Sequence, residues 1–236
     1  MKIKPSLIAS TIALTLTTTF TTSCSNNQSK NFDEQKIILL NNLQNDEYCK
    51  NHSDIDKILT FKNMIDSDKN NFIVIDKKNC TSTVYNSQGD TLFINEILLG
   101  KSIGDNNPIE QNYTPPGEYK IVGKDKDYGE KNKKLYSNRL MPIIDETKAR
   151  GDKFLALHQI PNNVYQIRAR KLDNNTTQDN RVSNGCINYS KEDYDKMNSL
   201  INGDNTNVYI LPEENDNFLK LTKKLWGKYQ FKQVKF

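Results

Sequence analysis

The spacing of apolar positions changes along the chain, and the change predicts its elements. From Glu34 to Met64 the pattern is helical: Ile37, Ile38 and Leu40 open an apolar set that Ile58, Leu59 and Ile65 extend, and Ser53-Asp54-Ile55-Asp56 reads as a capping box between them. From Asn71 the runs become short and β-prone. Phe72 to Ile75, Thr81 to Tyr85 and Thr91 to Leu98 are predicted strands, and Asn86-Ser87-Gln88-Gly89-Asp90 is a hairpin turn between the last two. Glu118 to Val122, Phe154 to His158, Val164 to Arg168 and Asn207 to Leu211 complete the strand set. Short strands separated by Gly, Pro and Asn turns predict a mainly β fold, an antiparallel sandwich or open barrel rather than a βαβ sheet. One helix interrupts it: Ser190 to Asn202, with Ser190 and Asp193 as a capping pair, Tyr194, Met197, Leu200 and Ile201 on one face, and Gly203 as the stop. Phe218, Leu221, Leu225 and Tyr229 form one face of a C-terminal amphipathic helix over residues 213–236, with lysines mostly opposite.

At 236 residues the chain accommodates one sizeable domain with appendages. Its formal charge of +4 is small, and no basic stripe with interleaved aromatics is present, so a nucleic-acid partner is not expected. The start is different in kind. Lys2 and Lys4 precede an apolar, Thr-rich run from Ser6 to Phe20, which ends in Thr21-Thr22-Ser23-Cys24. This is the layout of a secretory signal over 1–23, too short for a membrane span of ~20 apolar residues. Cys24 after small residues resembles the lipobox of bacterial lipoproteins, although Thr21 stands where that motif usually has an aliphatic residue. The resemblance implies lipidation of Cys24, a membrane anchor and an envelope location; Ser25 after the cysteine fits outer-membrane sorting in the periplasm. Ordinary signal cleavage nearby leads to the same compartment. A polar linker fills 24–33.

Export alters the cysteine arithmetic. The mature chain holds Cys49, Cys80 and Cys186, and an oxidising compartment favours pairing two of them. Cys49 with Cys80 is the expected pair, closing a loop worth on the order of 3 to 4 kcal/mol in the chain-entropy model, while three unpaired thiols remain the alternative. No cluster of ligands at metal-binding spacing is present, so neither a metal nor another cofactor is expected.

The remaining chemistry is a Cys/His pair. His158 closes the apolar run Phe154-Leu155-Ala156-Leu157 at a strand end, and Cys186 follows Gly185 in a loop that leads to the helix at Ser190. An imidazole next to a thiol can take its proton and lower a pKa that starts near 8.5. Gly185 permits a turn in which backbone N–H groups face a developing oxyanion.

Ser183-Asn184-Gly185-Cys186-Ile187-Asn188 resembles the Ser-x-Gly-Cys-hydrophobic-Asn/Arg signature of the L,D-transpeptidase catalytic domain, also called YkuD, with His158 in the place of its upstream histidine. Thr114-Pro115-Pro116-Gly117-Glu118-Tyr119 resembles that domain's Thr-Pro-x-Gly-x-Phe/Tyr segment, and Phe72 to Asp76 with the following hairpin its opening strands. The resemblance covers about residues 70–212, after a helical segment at 34–69. It implies a cysteine enzyme acting on peptidoglycan stem peptides: Cys186 as nucleophile, His158 as base, and backbone around Asn184, Gly185 and Cys186 as oxyanion site. Ser183 would shape the loop. Charge and position make Arg181 a candidate for a substrate carboxylate, and Asn188 a second substrate-binding candidate.

Two departures from the family pattern stand out. The gap from His158 to Cys186 is long, with the polar insertion Arg168 to Asn180 read as a tolerated surface excursion in preference to a substrate-selecting lid, and Gln159 stands where many members have Gly. Three functions remain: a transpeptidase, a carboxypeptidase or hydrolase using the same pair, and a peptidoglycan-binding lipoprotein without chemistry.

Overall fold

The structure is a computed structural model that describes residues 52–105, 112–124, 126–145, 155–174 and 176–213. The chain divides into two units, Met1–Asn45 and Asp46–Phe236, and every described residue lies in the second. The signal segment, Cys24, the linker, Cys49, residues 34–51 and the C-terminal helix beyond Glu213 lie outside the described residues.

Helix α1, His52–Ser67, leads into β1 (Phe72–Asp76), β2 (Thr81–Tyr85), β3 (Thr91–Glu96) and the short β4 (Leu99–Gly100). Next come β5 (Gly117–Ile121), α2 (Glu130–Tyr136), β6 (Leu140–Ile144) and β7 (Leu155–Gln159). A 3-10 turn, Asn162–Val164, runs into α3 (Tyr165–Leu172), followed by β8 (Arg181–Ser183), β9 (Ile187–Tyr189), α4 (Lys191–Leu200) and β10 (Asn207–Ile210). Eight strands form one sheet in the order β3-β2-β1-β10-β5-β6-β7-β9, and β4 pairs with β8. The fold is mainly β, but the main sheet is mixed: β1 lies parallel to β10, and β7 parallel to β9.

The continuous apolar run in β1 reflects burial on both faces. Phe72 and Val74 pack with Phe61, Met64 and Ile65 of α1 and with Tyr85 and Tyr209, whereas Ile73 and Ile75 enter the larger core with Val84, Ile97, Tyr119 and Ile210. Central strands covered on both sides lose their polar alternation for this reason. The expected turn after β2 is closed by the Asn86 carboxamide, which accepts from the N–H of Gln88 at 2.9 Å and of Asp90 at 2.8 Å. α4 begins as expected, with Ser190 Oγ accepting from the Asp193 N–H at 3.0 Å and Tyr194 and Met197 buried beneath it.

One predicted strand is a helix. Val164 to Arg168 belongs to the 3-10 turn and α3. Pro161 sets the turn, and the Val164 N–H bonds its carbonyl at 3.0 Å. The following residues alternate with helical period: Gln166, Ile167 and Arg170 are exposed, while Tyr165, Arg168, Ala169 and Leu172 turn inward. Four elements gave no usable pattern. α2 is almost wholly polar, β6 carries Pro142 at its centre, and β8 and β9 are three residues each. The central proline of β6 has no N–H to give, although its carbonyl still accepts from the Val122 N–H at 2.9 Å.

Candidate active site

Strand pairing places the candidate residues. In the parallel β7/β9 ladder Leu157 lies opposite Ile187 and His158 opposite Asn188, so Cys186 approaches Ala156, whose backbone N–H bonds the thiol. On the other side Leu98 and Asn188 exchange N–H···O bonds of 2.9 and 2.8 Å, and the Lys101 N–H bonds the Ser183 carbonyl at 3.0 Å. The loop between β8 and β9 is thus held from both flanks.

Within that loop Gly185 has φ +126°, a conformation that a side chain strains. Gly185→Ala is expected to cost about 1–3 kcal/mol in urea unfolding and to displace the thiol. Ser183, 3% exposed, closes the loop on itself: its hydroxyl donates to the Cys186 carbonyl at 2.6 Å and accepts from the Gly185 N–H at 3.0 Å. This corrects the reading of the oxyanion site, because the Gly185 N–H is already occupied. Among the described hydrogen bonds the Cys186 N–H has no acceptor. Asn184 is exposed at the loop tip.

Thr114 has a part that its motif did not reveal. Buried at 1% exposure, its hydroxyl donates to the Gly185 carbonyl at 2.8 Å and accepts from the Gly100 N–H at 2.9 Å, joining the cysteine loop to β4. Thr114→Val keeps the shape and orphans both backbone groups. With each buried orphan costing ~1–3 kcal/mol, denaturant titration is expected to show a loss on the order of 2–4 kcal/mol.

His158 is 5% exposed. Nδ1 lies 2.6 Å from the Gln159 carbonyl, an acceptor only, so Nδ1 carries the proton and Nε2 is the basic nitrogen. Nε2 faces the Asn188 amide Nδ2 at 3.2 Å, and that amide also lies 3.3 Å from the Cys186 carbonyl. Arg168 approaches from α3, donating through Nη1 to Asn188 Oδ1 at 2.9 Å and through Nη2 to the Val182 carbonyl at 3.2 Å. The Tyr136 ring lies 4.5 Å from the imidazole, centroid to centroid. Burial raises the Tyr136 pKa, and proximity to Cys186 adds to the rise. Gln159 has a role in this layout. Its side chain donates to Asn162 at 2.8 Å, and Asn162 in turn donates to the Lys134 carbonyl at 2.7 Å, which ties β7 to the helix that carries Tyr136.

The electrostatics differ from a ready-made thiolate–imidazolium pair. Burial pushes the Cys186 thiol above its ordinary value, and the bond from the Ala156 N–H opposes this only in part. Burial lowers His158 to about 4; the Gln159 carbonyl works against this shift and the Arg168 charge works with it. Both groups are therefore neutral near pH 7 in the resting site.

Arg181 is committed elsewhere. Its guanidinium bonds Glu213 at 2.8 Å and the Lys77 carbonyl at 2.5 Å, and the same cluster joins buried Lys77 to Asp105 at 2.5 Å. Arg168, read from sequence as part of a surface excursion, stands at the site instead. Of the expected Cys49–Cys80 pair, Cys49 lies outside the described residues and Cys80 within them. Cys80 is a free thiol, 1% exposed in the core, near the Lys77 and Thr177 carbonyls at 3.6 and 3.8 Å, and burial raises its pKa to about 11. Its place among Ile73, Val84 and Ile97 encloses the sulfur on the core side of β2. Among the described residues no three His, Cys, Asp or Glu side chains gather as a metal-binding group, and no helix is long and apolar enough to cross a membrane.

Fold and site together define a class: a mixed-sheet protein with a cysteine and a histidine on neighbouring parallel segments, beside a glycine turn tied down by a buried threonine. The chain belongs to the L,D-transpeptidase catalytic domain family, YkuD, whose model matches residues 70–210. No curated protein sequence matches it. Similar solved structures include an L,D-transpeptidase (Yku) from Stackebrandtia nassauensis, at 17% identity and TM-score 0.40, covering 61% of this chain and 57% of that one. Another is the helical cell shape determining protein Pgp2 from Campylobacter jejuni, at 16% and 0.43, covering 71% and 63%. A third is the catalytic domain of the E. faecium L,D-transpeptidase, at 15% and 0.38, covering 61% and 99%. The chain therefore spans less than two thirds of the length of the first two and nearly all of the third.

Proposed function

We propose that this protein is a cysteine-dependent L,D-transpeptidase that works on tetrapeptide stems of peptidoglycan in cell-wall cross-linking or remodelling. The observation that carries the reading is the β7/β9 pairing, in which Cys186 meets β7 at Ala156, two residues before His158, within the segment matched by the family. Nε2 of His158, unprotonated because Nδ1–H is given to the Gln159 carbonyl, takes the thiol proton as sulfur attacks the carbonyl between the third, L-centred residue and the fourth, D-centred one. The negative charge on the tetrahedral oxygen meets the Cys186 N–H, a loop donor that, like the Asn184 N–H, has no other acceptor among the described hydrogen bonds. Collapse breaks the C–N bond; the imidazolium returns its proton to the departing D-amino acid nitrogen, and a thioester remains on Cys186. An acceptor amine then attacks the thioester while His158 takes its proton, and the thiol is regenerated.

Burial supports this sequence of steps. A thiol and an imidazole that are both neutral at rest keep the sulfur from reacting before a substrate is in place. Export through the 1–23 segment, with Cys24 as a lipid anchor, would bring the domain to its polymer. The test is incubation of the purified domain with tetrapeptide muropeptides and mass analysis of the products. Cross-linked dimers are expected. Trimmed tripeptide without dimer would replace the transferase by a carboxypeptidase, and no product with no thioester would leave a binding lipoprotein.

A further inference from the structure

The excursion between β7 and β8 carries a residue that motif reading passed over. Arg168 is half-buried on the inward face of α3, and its two hydrogen bonds both end at the cysteine loop, on Asn188 Oδ1 and on the Val182 carbonyl. A guanidinium can only donate. Asn188 is fully buried, so its carboxamide must present oxygen to Arg168 and nitrogen to the opposite side, where Nε2 of His158 lies 3.2 Å away. At the far end of the chain the Gln159 carbonyl can only accept. The polarity of Arg168, Asn188, His158 and Gln159 is thereby fixed from both ends. Around the ring the titratable or charged neighbours are Tyr136 from α2 and Arg168 from α3, and Cys186 from the loop before β9 lies near Tyr136.

Resting on the reading of Cys186 and His158 as the reactive pair, we propose that Arg168 is a positioning residue: it locks the Asn188 carboxamide so that an N–H, never an acceptor, faces the basic nitrogen of His158. The consequence concerns the proton. Once Nε2 is protonated, Asn188 offers it no acceptor, so that proton is directed to the sulfur or to the departing amine. Without Arg168 the carboxamide can turn, and its oxygen can hold the proton on the imidazole in an unproductive bond.

The test is an NMR titration of protein with 15N-labelled histidine, which reads the tautomer and the pKa of the His158 ring whether or not the protein transfers acyl groups. Wild type is expected to show the proton on Nδ1 and a free basic Nε2 at neutral pH; a proton on Nε2 there would overturn the proposal. In Arg168→Met the His158 pKa should rise by about one unit or more, a roughly tenfold gain in proton affinity, and by clearly more than it does when Asn188→Ala is added, because loss of the Arg168 charge alone also raises it; an equal rise in the double variant would overturn the lock. Arg168→Lys, which keeps a donor, should stay near wild type. Arg168→Gln can offer Asn188 either polarity, and it repeats the test if the methionine variant does not fold. An unchanged His158 pKa in the Met or Gln variant would sink the positioning role even if muropeptide dimers form. A shift that requires Asn188, in a protein that makes no product, would leave the hydrogen-bond lock standing and remove only the enzymatic reading.

Discussion

Cys186→Ala is expected to abolish thioester formation and to lower product formation at least about 10⁴-fold, to the background of the uncatalysed reaction. Intact-protein mass after exposure to a carbapenem gives the direct check: an adduct on wild type and none on the variant. The substitution removes one sulfur from a partly exposed position and leaves the Ser183 and Thr114 bonds to the loop backbone in place, so the fold should persist. An adduct of equal yield on the alanine variant would show that another group is the nucleophile. Because burial raises the thiol pKa, alkylation by iodoacetamide in the absence of substrate should climb with pH into the alkaline range, with no plateau at neutral pH. A neutral-pH plateau would mean a preformed thiolate.

The second large effect concerns His158. Replacing this proposed base with glutamine is expected to slow acylation by roughly 10²–10⁴-fold. The same variant tests how burial affects stability. The folded-state pKa, about 4, lies below the ordinary 6.5, so between these values the unfolded chain binds a proton that the folded one excludes. Stability therefore rises with pH in this window: the contribution is complete above pH 6.5 and is lost as pH falls to about 4. The slope approaches about 1.4 kcal/mol per pH unit, or on the order of 3 kcal/mol in all. Urea titrations at pH 7, 5 and 4 should show this loss in wild type and a flatter dependence in His158→Gln. Equal slopes in the two proteins would count against a buried neutral imidazole.

The sequence showed best what depended on local pattern. Strand β1 and the turn at Asn86 to Asp90 follow from an apolar run and from Asn and Gly side-chain chemistry, and the Ser190 cap follows from its partner three residues on. The family resemblance was read over about residues 70–212, and the family model matches 70–210. Elements held by tertiary contacts were less legible. β9 is three residues long and exists because β7 and Leu98 pair with it; α2 has almost no apolar pattern and is seated through Asn162. For the candidate site, motif spacing picked out Cys186, His158 and Ser183. Charge and position suggested Arg181 for a substrate carboxylate, whereas its guanidinium pairs with Glu213, 32 positions away, and the places of Arg168 and Thr114 depend on partners 14 to 71 positions away. An arginine on the inward face of a short amphipathic helix was the available signal. It went unread because Val164 to Arg168 was assigned the period of a strand.

The parallel arrangement of β7 and β9 gives the long gap between His158 and Cys186 another meaning. Two strands running the same way cannot be joined by a hairpin; the chain must first return to the starting edge, which takes a dozen or more residues. Much of the stretch from Ile160 to Asn180 is therefore the return path that the topology demands, with α3 as its rigid part. Once a return path exists its length is only weakly constrained, since doubling a loop costs about 0.6 kcal/mol. The separation of His158 and Cys186 in sequence and their separation in space are thus set independently, the first by a connector free to grow, the second by hydrogen bonds between neighbouring strands.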